Sequence, residues 1–164
     1  MAYNNNNNEE KPSSVVAYYL VTLNLCMSIV LLSIGAWAIN EAIDHGFIIA
    51  EGLELPALFS PISFPMGNAA TGFFVTLSMI AGVVGVASGI TEINLIRRGK
   101  NPESAAAAST AASIAFTLTA LAMGFAWKEI QLNVRNAKLK TMEAFTIILT
   151  VTQLIFIYIV TLQI

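Results

Sequence analysis

The chain has 164 residues, 56% of them hydrophobic and 11% charged, with a net charge of −2 and a mean hydropathy of +0.71. Ordinary soluble domains carry about 25% charged residues, so this composition leaves too little polar surface for a small globule in water. It excludes a soluble enzyme, a nucleic-acid binder and a disordered chain, and no basic block points to phosphate backbones.

In chain order, the first fourteen residues include the run Asn4–Asn8, which predicts a disordered N-terminus over 1–14. A single four-span membrane domain is expected over 15–164. Its apolar stretches cover 15–39, 69–91, 104–127 and 143–164, and the one charge inside them is Glu143. A helix rises about 1.5 Å per residue, so each stretch is long enough for a ~30 Å hydrocarbon core. Lone strands in lipid would leave their backbone unpaired. The expected fold is therefore all-α, a four-helix transmembrane bundle with both termini on one side. The connection 40–68 carries Pro56, Pro61 and Pro65 and no Lys or Arg, which reads as an irregular loop. The connection after the second span carries Arg97, Arg98 and Lys100, and the next one Lys128, Arg135, Lys138 and Lys140. Basic residues divide evenly between the two sides. The first two spans decide, because the loop between them lacks basic residues while Lys11 and the Arg97 cluster flank it. Cytosolic termini follow as the expectation.

Each span has a small or polar face at 100° per residue. The first turns Ala17, Asn24, Ser28, Gly35 and Ala38 one way, and the second Thr71, Ser78, Gly82, Gly85, Gly89 and Glu92. The third presents Ser109, Ser113, Ala120, Gly124 and Trp127, and the fourth Glu143, Thr146, Thr150 and Gln153. Lipid supplies no hydrophobic drive for association, so small residues permit close approach and polar ones bond across helices. Gly82, Gly85, Gly89 and Gly124 are the expected helix-packing positions. Asn24, Ser28, Thr150 and Gln153 are the candidates for a ligand or translocation path near the midplane. Lys128 and Glu143 are the candidates at its rim. Glu143 is expected to pair with Lys128 or Arg135, and Glu92 with Arg97. Packing accounts for these faces more economically than conduction does.

No nucleophile–histidine–acid set, paired carboxylates or phosphate loop is present, so no catalytic site is expected. The single Cys26 makes an intrachain disulfide unattainable. The single His45 has no second soft ligand beside it, so no metal or other cofactor is expected.

Longer motifs carry a resemblance. Trp37-Ala-Ile-Asn40, Leu53-Glu-Leu-Pro56, Phe64-Pro-Met-Gly-Asn-Ala-Ala-Thr-Gly-Phe-Phe-Val75, Leu121-Ala-Met-Gly-Phe-Ala-Trp-Lys-Glu-Ile130 and Arg135-Asn-Ala-Lys-Leu-Lys140 resemble the plant AWPM-19-like family of small four-span plasma-membrane proteins. The likeness spans Trp37 to Leu154. One departure is Leu95, where family members often have a histidine. The resemblance implies a plasma-membrane location, a stress context and a role in abscisic acid uptake, and transfers no site residues. Two functions are then expected. The first is passage of abscisic acid or a similar small weak acid. The alternative is a non-transporting homo-oligomer that organises the membrane or scaffolds a partner through the Gly82/Gly85/Gly89 face. Membrane lipid is the common partner of both.

Overall fold

The computed structural model describes residues 12–49, 69–97, 102–131 and 136–162. Among them are four helices, α1 (Pro12–Ile49), α2 (Ala69–Arg97), α3 (Pro102–Ile130) and α4 (Ala137–Thr161). All four are long and apolar enough to cross a membrane. The disorder expected for the N-terminus falls on residues 1–11, outside the described residues; Pro12–Ser14 already belong to α1. The helices outrun the apolar stretches because apolarity marks the depth of hydrocarbon, not the end of the backbone ladder. Thus α1 continues through Asn40, whose amide donates to Asp44 one turn on at 3.0 Å. Its 38 residues make a rod about 57 Å long. Proline opens both α1 and α3, a position where its missing N–H costs no helical bond. Asn136 caps α4, its side chain accepting from the Lys138 N–H at 3.3 Å. The loop expected over 40–68 thus has its first ten residues in α1, and 50–68 lie outside the described residues.

Each helix packs on its chain neighbours, and α4 closes the ring onto α1. Contacts between α1 and α2 set an antiparallel register. Each step of three or four down α1 is matched by one up α2: Leu25 meets Gly89, Ser28 meets Gly85, Leu32 meets Gly82 and Gly35 meets Met79. Between α1 and α4, Trp37 meets Lys138 and Asn24 meets Thr152, again antiparallel. The bundle therefore runs up, down, up, down. The C-terminus of α4 returns to the end where α1 begins, here called the terminal end; the other is the far end.

The interior follows a heptad-like spacing of four and three. On α1 it runs through Ala17, Val21, Asn24, Ser28, Leu31, Gly35 and Ala38, all buried. Every residue of the faces expected on α2 and α4 is buried as well. On α3 the face is displaced by one residue. The buried stripe is Ala108, Ala112, Ala115, Thr119, Ala122, Ala126 and Glu129, whereas Ser109, Ser113 and Ala120 are half-buried and Gly124 and Trp127 exposed. Alanine allows contact as close as serine does, and the hydroxyls left off the stripe bond their own backbone, Ser113 to the Ser109 carbonyl at 2.7 Å and Thr117 to the Ile114 carbonyl at 2.8 Å.

Two apolar clusters fill much of the interior. One, toward the far end, holds Leu31, Phe74, Met142 and Leu149; the other, at the terminal end, holds Val21, Ala112 and Phe156. The outer surface is apolar too, with Ile29, Phe73, Val83, Ile114 and Leu154 exposed.

The α1–α2 contact depends on missing side chains. A Cβ on Gly82 would lie 3.0 Å from the Leu32 nitrogen and 3.1 Å from the Ser28 carbonyl oxygen, both backbone atoms. A Cβ on Gly85 would collide with the Ser28 hydroxyl and stand 3.1 Å from its Cβ. Around a Cβ on Gly124 there is nothing within 4 Å, so the expectation that Gly124 packs is corrected: it faces outward. We expect Gly82→Val to destabilise the protein by about 1–3 kcal/mol, as overpacking does. Gly124→Ala should leave stability unchanged or raise it by up to about 1 kcal/mol. Thermal unfolding in mild detergent checks both; a Gly82→Val protein as stable as the native one contradicts the register.

Candidate functional site

Nearly all the polar side chains buried in the bundle lie on the inner stripes, forming a seam with three levels. In the middle, Asn24, Ser28, Thr119, Thr150 and Gln153 are each at most 5% exposed. Two bonds cross between helices here. The Thr119 hydroxyl of α3 lies 2.6 Å from Oε1 of Gln153 on α4, and the Thr152 hydroxyl of α4 lies 2.6 Å from Oδ1 of Asn24 on α1. The neighbouring residues 152 and 153 thus tie α4 to both of its partners. Other hydroxyls on the seam turn back on their own helix: Ser28 to the Asn24 carbonyl at 2.8 Å, Thr146 to Met142 at 2.7 Å and Thr150 to Thr146 at 2.8 Å. Asn24 Nδ2 and Ser78 Oγ are buried with no hydrogen-bond partner among the described residues.

At the far end are two buried carboxyl groups, Glu129 on α3 and Glu143 on α4, 0% and 3% exposed. The Thr71 hydroxyl, at the start of α2, lies 2.9 Å from both oxygens of Glu129. A hydroxyl donates only one proton, so it is shared across the two oxygens or alternates between them. At the terminal end Glu92 is buried on α2 and accepts from Ser88 one turn back.

Rim contacts complete the picture. The Lys138 ammonium stands 3.5 Å over the Trp37 ring, a cation–π contact that closes α4 on α1 at the far end. At the terminal end Arg97 donates to the Tyr18 hydroxyl at 3.5 Å.

The expected middle residues, Asn24, Ser28, Thr150 and Gln153, all lie on the seam. Of the two rim candidates, Glu143 faces inward and Lys128 is exposed, so Lys128 does not line the interior. Arg135, the other partner expected for Glu143, lies outside the described residues. Glu92 bonds Ser88 where a pair with Arg97 was expected, and Arg97 reaches Tyr18 instead. The expected docking face of Gly82, Gly85 and Gly89 is occupied by α1 of the same chain, which removes it as a surface for a partner.

Four seam residues escaped sequence reasoning: Ser88, Thr119, Glu129 and Thr152. The signal for two of them was present. The four-and-three spacing that starts at Ala108 reaches Thr119 and then Glu129, next to Lys128 but about 100° round the helix.

The AWPM-19-like family model matches residues 22–163. The rice protein named "Membrane protein PM19L" (Oryza sativa subsp. japonica) is 35% identical over 139 residues, covering 84% of this chain and 72% of the relative. No solved structure matches the chain.

The bond between Thr119 and Gln153 should be detectable but weak. A double-mutant cycle with Thr119→Val and Gln153→Leu, read by reversible unfolding in mixed micelles, should give a coupling of about 0.6 kcal/mol and at most ~1.7, the range for such bonds inside membranes. Strict additivity of the two substitutions would mean that the side chains do not meet.

Proposed function

The chain belongs to the AWPM-19-like family, and from its buried polar seam we propose that it facilitates passage of abscisic acid, or a similar small weak acid, across the plasma membrane. The family resemblance suggests the hormone and the plasma membrane. The seam suggests how a bundle this small serves such a solute. A carboxyl group entering hydrocarbon needs hydrogen-bond partners, and here they occur at the terminal end, the middle and the far end. Hydrogen bonds between side chains in a membrane are worth on average only ~0.6 kcal/mol, so a solute that offers its own donor and acceptor exchanges them at little cost. Cytosolic termini belong to the same reading. They place Arg97 inside and the connection between α1 and α2, which has no Lys or Arg, outside.

The observation that carries the proposal is the run of buried amide and carboxyl groups, Glu92, Asn24, Gln153, Glu143 and Glu129, with the Thr119 hydroxyl among them, inside a bundle whose outer surface is apolar. Packing alone would be met by the alanine, glycine and leucine positions between them. The test is uptake of radiolabelled abscisic acid by proteoliposomes holding the purified protein. We expect saturable uptake above that of protein-free liposomes, reduced several-fold by Gln153→Leu. Uptake equal to that of protein-free liposomes rejects the proposal.

A further inference from the structure

At the terminal half of the seam a buried donor without a partner on α1 lies near a buried carboxyl group on α2. Asn24 is 5% exposed, and its amide oxygen is engaged by the Thr152 hydroxyl at 2.6 Å. Its amide nitrogen is buried without a partner. A buried N–H group with no acceptor is costly, because it has lost water and gained nothing. Leu25 of α1, the residue after Asn24, stands 3.3 Å from where a Cβ on Gly89 of α2 would be. Ser88 and Glu92 flank Gly89 and are also buried, and the Ser88 hydroxyl donates to Glu92 Oε1. The antiparallel register therefore places Glu92 within about one helical turn of Asn24 along the bundle axis.

We infer that Asn24 of α1 and Glu92 of α2, the latter steadied by Ser88, form a binding site on the seam for the neutral carboxyl group of a small amphipathic acid. The match is one of hydrogen-bond sense. A protonated carboxyl has one acceptor, its carbonyl oxygen, and one donor, its O–H. The Asn24 amide nitrogen donates to the first, and a carboxyl oxygen of Glu92 accepts from the second. A carboxylate ligand has no proton to give Glu92, and an ester has no O–H. The site thus selects the uncharged form, the form that costs least to hold in hydrocarbon. Arg97, exposed and five residues beyond Glu92, raises the local concentration of the acid's anion at this rim, where the anion equilibrates with its protonated form. The inference rests on the weak-acid reading above, and moves the head-group site to the terminal end, away from Lys128.

The test uses the full-length protein in phosphatidylcholine nanodiscs, with equilibrium dialysis of radiolabelled abscisic acid and of its methyl ester. We expect the acid to bind about tenfold more tightly than the ester, the worth of one buried hydrogen bond. Asn24→Leu and Glu92→Ala should each weaken acid binding about tenfold, and Glu92→Ala should abolish the preference over the ester. Glu92→Gln keeps an acceptor oxygen of the same shape, so it should retain the preference, which separates loss of the bond from loss of the fold. Ser33→Ala, which removes an exposed hydroxyl bonded to its own helix at Ile29, should bind as the native protein does. Equal affinity for acid and ester, unchanged affinity in both Asn24→Leu and Glu92→Ala, or no binding at all overturns the site. Proteoliposome uptake distinguishes the two failures. Native uptake with unaltered binding in the variants sinks this site and leaves transport standing. Selective binding without uptake does the reverse.

Discussion

The structure depends on the close approach of α1 and α2. In water, two apolar helices are driven together by the surface they hide; in lipid that drive is absent, and van der Waals contact has to replace it. Contact at backbone distance needs positions without side chains. Gly82 and Gly85 supply them, one against the backbone of Leu32 and Ser28 and the other against the Ser28 side chain. The same approach turns the polar face of α1 inward, since Asn24, Ser28 and Gly35 share a stripe. Gly82 also sets which residue of α2 stands opposite which residue of α1. The relation of Asn24 to Glu92 is thus a consequence of where the glycines fall.

The remaining helices are joined by a different means. Between α3 and α4, and between α4 and α1, side-chain hydrogen bonds cross the interface: Thr119 with Gln153 and Thr152 with Asn24. The α3 stripe is alanine for the most part, which gives a smooth surface with few interlocking features. The bundle therefore has one interface fixed by tight steric fit and three crossed by polar side-chain bonds, the third being Thr71 with Glu129 between α2 and α3. Its carboxyl groups lie toward the two ends, Glu92 on one side and Glu129 and Glu143 on the other, with amides and hydroxyls between them. That order suits the dielectric, because neutral polar groups cost less than ionisable ones in the driest part of the span.

Much of this was legible in the sequence. The spans followed from length and charge exclusion, and the inward faces of α1, α2 and α4 from angular arithmetic, down to Ser78, Gly89 and Gln153. The α3 face was not legible by the same rule. Its region 104–113 is so uniformly small, with Ala, Ser or Thr at every position, that no face is distinguished by size. Weighting serine and glycine over alanine then rotated the helix by one residue. Lys128 stands out at the rim by its charge rather than by its place on a face, whereas Glu129 beside it ends the buried stripe. Helix ends were misjudged for a separate reason. Backbone hydrogen bonding extends α1 and α4 past the apolar stretches, as the Asn136 cap and the Asn40–Asp44 pair demonstrate.

The division between a steric interface and polar ones bears on how such a bundle would admit a solute. Parting α1 from α2 means losing many dispersion contacts at once, and water is not present to refill the gap. Exchanging a hydrogen bond on the seam costs far less when the solute carries its own donor and acceptor. A carboxylic acid carries both and pairs with Asn24 and Glu92 in kind. A hydrocarbon of equal size offers neither and leaves the Asn24 amide as unsatisfied as before. An anion satisfies the amide but meets a buried carboxyl group nearby. On the proposed reading the seam would discriminate by hydrogen-bond complement rather than by width, which is the kind of selectivity open to a bundle of four helices with alanine, glycine and serine at its closest contacts.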